Sequence, residues 1–168
     1  MSNPEFLGGY DGQSLDELIA MESSHRIDSL VLAMESALDQ KLSVGGPAGL
    51  SAEERVILVI EALEREVNNG GYDQFFTNSS GAYAGEIEAA LRSIGCPRQA
   101  DIAKRALEAL GVKGALTSAS VEAALDAGGD DLSGRLGDLD DEYYKCDEPI
   151  ADRLFAFVKA NRAKVQLR

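Results

Sequence analysis

From residue 14 almost to the C-terminus, apolar side chains recur at three- and four-residue spacing, and no convincing stretch alternates with period two. An α-helix gathers such positions on one stripe, whereas a half-buried strand needs strict alternation. Ser14 can cap LDELIAMES, and Ile27, Leu30, Val31, Met34 and Leu38 form the next stripe. The Gly- and Pro-rich SVGGPAG, residues 43–49, interrupts it. Ser51 and Glu54 then stand at capping-box spacing. Val56 to Ile60 is an unbroken apolar run; the cap before it and the continuation through Leu63 and Val67 assign it to a helix at the centre of the core. Helical spacing resumes over Ala82–Ile94, then from Pro97 to a stop at Gly111, then over Ser118–Ala127. Leu132, Leu136, Leu139 and Tyr143 extend the pattern, and Pro149 opens a last helix presenting Ile150, Leu154, Phe157 and Val158. The expected fold is all-α: a compact single-domain bundle of about seven to nine helices over residues 10–168, with residues 1–9 a flexible N-terminus or cloning remnant.

The charge is as uneven as the helices are regular. The chain carries 29 acids and 16 bases, a formal net charge of −13. Residues 126–148 hold nine of the acids (Asp126, Asp130, Asp131, Asp138, Asp140, Asp141, Glu142, Asp147 and Glu148) against Arg135 and Lys145. Residues 149–168 reverse the sign, with five bases against Asp152. A field of this sign repels nucleic acid and anionic lipid and attracts basic partners. Direct nucleic-acid binding and membrane association are therefore not expected. A continuous negative face fed by residues 126–148 is, with the basic tail elsewhere against acids of the N-terminal segment.

Catalytic chemistry has few candidates. The single histidine, His25, stands among polar residues with no evident second ligand or base partner. HExxH, a Walker-type loop, GxSxG and Cys/His clusters are all missing, so no catalytic residue, metal or cofactor is assigned. Cys96 and Cys146 make neither a CxxC pair nor a disulfide framework, which suits a reducing cytoplasm.

One stretch resists the simple pattern: VNNGGYDQFFTNSSG, residues 67–81. Asn68 and Asn69 end a long helix, and Gly70 and Gly71 can take positive φ there. Tyr72, Gln74, Phe75 and Phe76 fit a helix of about two turns. Asn78, Ser79, Ser80 and Gly81 can return hydrogen bonds to the backbone. The residues describe a tight corner between helices; an amide-lined pocket around Asn69, Gln74 and Asn78 is the other reading they allow.

The strings EREVNNGGYDQFFTNSSG, AALRSIGCP and LDDEYYKCDEP carry a resemblance over about Tyr10 to Val165. They resemble a bacterial DNA-mimic protein family, formerly a domain of unknown function, with NNGGYxQFFxNSSG as its signature. The resemblance implies an all-α homodimer that presents carboxylates as duplex DNA presents phosphates. Its partner would be a DNA-binding protein with a basic groove, such as a transcriptional repressor. Asp131, Asp138 and Glu142 could form such a row opposite Leu132, Leu136, Leu139 and Tyr143, widened by Asp130, Asp141 and Glu148, with Arg135 partly neutralising it. An immunity or antitoxin-type inhibitor of a toxin enzyme, or a small-molecule-binding domain at the NNGG corner, remain the alternatives.

Overall fold

The computed structural model describes residues 3–168. Among them lie seven α-helices: α1 (Leu15–Ala20), α2 (Ile27–Gly45), α3 (Ala52–Thr77), α4 (Ile87–Ser93), α5 (Pro97–Leu110), α6 (Ser118–Lys145) and α7 (Ile150–Ala160), with three short 3-10 turns between them and a fourth after α7. The fold is all-α as expected, and the described residues form no strand beyond one isolated bridge, Glu5 with His25. None of these helices is long and apolar enough to cross a membrane.

Local chemistry explains the boundaries. Ser14 and Glu17 close a full capping box on α1. Ser51 and Glu54 do the same for α3, through Ser51 N to Glu54 Oε2 and Glu54 N to Ser51 Oγ, both 3.0 Å. α5 begins at Pro97 and ends at Gly111, which adopts left-handed φ of 67°. The helix expected from Ala82 starts five residues later. Residues 79–83 tighten into a 3-10 turn instead, and Ile87 opens α4.

Contacts divide the chain into two compact units. The first comprises residues up to Glu61 together with Pro149–Arg168. Within it α2 packs against α7, and Leu30, Met34, Leu38, Leu154, Phe155 and Val158 are almost wholly buried. Phe155 takes the core place expected of Phe157, which stays partly exposed. The N-terminal strand-like segment is tied down: Glu5 exchanges backbone hydrogen bonds with Ser24 and Arg26, both 2.8 Å, and Leu7 N donates to Ser29 Oγ at 3.0 Å.

The basic tail lies among acids of this same unit. Lys159 meets Glu22 at 2.6 Å, Arg162 meets Asp16 at 2.7 Å, and Lys164 meets Glu53 at 2.8 Å. Glu54, 1% exposed, accepts from Lys41 Nζ at 2.8 Å and from Gln166 N at 2.7 Å, besides its capping bond to Ser51. A buried carboxylate is tolerable only with partners of this kind.

The second unit is residues 62–148, and in it α5 packs against both α4 and α6. Its buried side chains include Leu63, Val67, Tyr72, Phe75, Ile87, Leu91, Leu132, Leu136 and Tyr143. Burying one large apolar side chain contributes roughly 1.5–3 kcal/mol, so Leu132, Leu136, Leu139 and Tyr143 fix which face of α6 points outward. Two helices bend within their length. α3 breaks at Gly70–Gly71, and α6 kinks at Gly129, where φ is 51°.

Candidate functional site

The break in α3 is the corner of the NNGG motif. Gly71 has φ of 78°, and the helix restarts at residue 72 with unsatisfied backbone N–H groups. Tyr72 N–H donates to Asp140 Oδ1 at 2.8 Å, so a carboxylate from α6 caps the restarted helix. A Cβ on Gly71 would overlap that carboxylate, so both backbone angle and space require glycine here.

The amides around the break bond to one another. Asn69 Nδ2 donates to Gln74 Oε1 at 3.1 Å, and Gln74 Nε2 and Asn78 Nδ2 donate to Glu66 Oε2 at 2.7 and 2.8 Å. These bonds, that from Gln74 first, hold the Glu66 carboxyl below its ordinary range. Asn68 Nδ2 turns back to the Glu64 carbonyl, 2.8 Å away. Asn69 and Gln74 thus serve a network that braces the corner, and Asn78 also lines a cleft.

Aromatic packing completes the corner. Tyr72 stacks on Phe76 with centroids 6.0 Å apart, Phe75 meets Phe76 edge-on at 5.4 Å, and Tyr143 meets Tyr72 edge-on at 6.1 Å. Ser80 Oγ donates to the Phe75 carbonyl at 2.7 Å, and Gly81 lets the next turn close beneath Phe76, whose carbonyl oxygen would stand 2.6 Å from a Cβ there. α6 is clamped to α3 by two tyrosines. The Tyr143 hydroxyl donates to the Glu64 carboxylate, and the Tyr144 hydroxyl donates to the Val67 carbonyl at 2.5 Å. Burial pushes the Glu64 carboxyl up to about 7.

On this clamped scaffold the nine acids of residues 126–148 take unlike roles. Asp140 caps the corner and is held above its ordinary range, burial being the main cause. Glu148 caps α5, accepting from Arg98 N at 3.1 Å and Gln99 N at 2.8 Å. Asp131 pairs with Arg135 at 3.3 Å, Glu142 with Arg105, and Asp147 with Arg98 at 2.5 Å. The Arg105 bond also holds the Glu142 carboxyl below its usual range. Asp130, Asp138 and Asp141 are exposed beyond the kink of α6 and have no basic partner among the described residues. Asp126 is exposed too, but it lies before the kink, on a segment with its own direction.

Asp131 and Glu142, expected to lead the acidic row, are therefore compensated, and Asp130, Asp138 and Asp141 carry its uncompensated charge. The sequence reading singled out none of three further contributors. Asp73, exposed on the restarted helix, lies near enough to Asp140 to add to its field. Arg98 and Arg105, seven residues apart and so on one side of α5, supply the neutralising charges. That spacing was the available signal.

His25 Nδ1 stands 2.9 Å from Ser24 Oγ. Among the described residues no group of three or more His, Cys, Asp or Glu is arranged to hold a metal ion. The two cysteines form no disulfide: Cys96 is buried and Cys146 is half-buried.

No curated protein and no solved structure matches the chain. A family model described as DMP19-like protein, named for a DNA mimic protein, does match, over residues 48–161. That span covers the α3 corner, the clamped α6 and all of α7, well over half of the chain, and the chain belongs to the DMP19-like protein family.

Proposed function

We propose that this protein is a non-catalytic DNA mimic that binds a DNA-binding protein, such as a transcriptional repressor, in place of DNA. The supporting observation is the outer face of α6 beyond Gly129. Asp130, Asp138 and Asp141 stand there uncompensated, on a helix whose opposite face is buried and whose end is held by Tyr143 and Tyr144. Duplex DNA presents one charge about every 3.4 Å along each strand, and a groove-binding protein reads these charges by position. Carboxylates on a rigid helix meet that need without a sugar–phosphate backbone. Asp73 widens the face.

Two copies would supply two such faces, as the two strands of a duplex do, so the reading includes a homodimer acting in the cytoplasm. Capture of partners from the native cytosol, followed by displacement with duplex DNA, tests it. DNA should release the partner, and the D130N/D138N/D141N variant should fail to capture it. Partners that DNA does not displace would end the proposal.

A further inference from the structure

The signature motif has a second end that the acidic face leaves unexplained. Residues 76–82 and the first turns of α6 enclose a cleft of about 420 Å³. Its walls combine Phe76, Ala82 and Leu125 with Asn78, Ser79, Ser118 and the carboxylates of Glu122 and Asp126. No lysine, arginine or histidine lines it. The cleft is built rather than incidental: Ser80 and Gly81 fix the turn beneath Phe76, and Asn78 is braced against Glu66.

We infer that this cleft is a binding site for a small organic cation, an ammonium or guanidinium group on a short apolar stem. Three properties select that class. Glu122 and Asp126 are one helical turn apart, so their Cβ atoms are roughly 5–6 Å from each other on one side of the helix. Both are exposed and have no basic partner among the described residues, so no internal cation competes for them. The Asn78, Ser79 and Ser118 side chains supply neutral acceptors, while Leu125, Ala82 and Phe76 give the stem an apolar wall. An anion would meet two carboxylates, and a wholly apolar ligand would leave both of them dehydrated and unpaired.

Amide NMR titration at roughly physiological salt, about 0.15 M, separates a site from general attraction to an acidic surface. The probes are agmatine, n-butylamine and ammonium chloride. Agmatine and n-butylamine should give saturable shifts confined to residues 76–82 and 118–126, with ammonium about tenfold weaker because it lacks a stem. E122Q/D126N should weaken agmatine by about tenfold or more, and D130N/D141N should leave it unchanged. Equal response to ammonium, shifts spread along residues 130–148, or indifference to E122Q/D126N would each overturn the inference. Binding here is independent of DNA displacement, so either result can stand while the other fails.

Discussion

The two units of this chain differ in how far bases offset their acidic side chains. The first has twelve acids against eight bases, a balance of −4, and the second has seventeen against eight, a balance of −9. In the first, Lys41, Lys159, Arg162 and Lys164 each rest on a carboxylate. In the second, Arg98, Arg105 and Arg135 reach Asp147, Glu142 and Asp131, and Asp130, Asp138 and Asp141 are left without a base. Net charge alone therefore does not make a face. A face arises where a rigid element presents carboxylates that the bases near it do not pair, as α6 past Gly129 does at Asp130, Asp138 and Asp141.

This contrast is most sharply broken at Gly71. Gly71→Ala forces a Cβ into the Asp140 carboxylate at positive φ, and should cost about 3 kcal/mol or more in chemical denaturation. Gly129→Ala, at positive φ but in open space, should cost only about 1–2 kcal/mol. Equal losses would mean that the Asp140 contact does not hold the corner.

D130N/D138N/D141N should weaken partner binding by about 100-fold, roughly 2.7 kcal/mol, with a shallower salt dependence and no loss of thermal stability. Removing two acids from the first unit, Asp16→Asn with Glu22→Gln, should leave binding as it was. If both variants weaken binding alike, total charge matters and the α6 face does not.

Glu64 sharpens the contrast through pH. With its carboxyl raised from 4.5 to about 7, the folded chain retains a proton that the unfolded chain has released. The resulting stabilisation is complete below about 4.5 and is lost as the pH rises through about 7. Glu64→Gln keeps an acceptor for Tyr143 and removes the titration. It should flatten this part of the stability profile and raise stability at pH 8 by about 2 kcal/mol, read from urea midpoints at several pH values. The smallest effect is expected at Arg162→Ala, where an exposed ion pair in the first unit is lost. Its unfolding midpoint should stay within error, and a clear drop would give the tail a larger structural role.

Much of this was legible in advance because helices are encoded locally. The Ser51–Glu54 cap, the Pro97 start, the Gly111 stop and the stripe from Leu132 to Tyr143 each depend on residues within a few positions of one another. Placing the basic tail against N-terminal acids also needed only charge, and Lys159–Glu22 and Arg162–Asp16 satisfy it. Ala82 was misread as a helix start because Asn78 to Gly81 make a tight turn, through the Ser80 bond to Phe75 and the close approach of Gly81 to the Phe76 carbonyl, that no helical period reveals.

What the sequence by itself determined is therefore the helical class, most of the helix ends and the membership of a family with this corner motif. Only the tertiary structure decided which acids are spent and which are spare. Asp140 and Asp141 are neighbours in the chain, yet one caps a helix that begins 68 residues earlier and the other faces solvent. An electrostatic role depends on distances in space, and the partners that set those distances, Tyr72, Arg98 and Arg105, are brought to α6 by packing rather than by position along the chain.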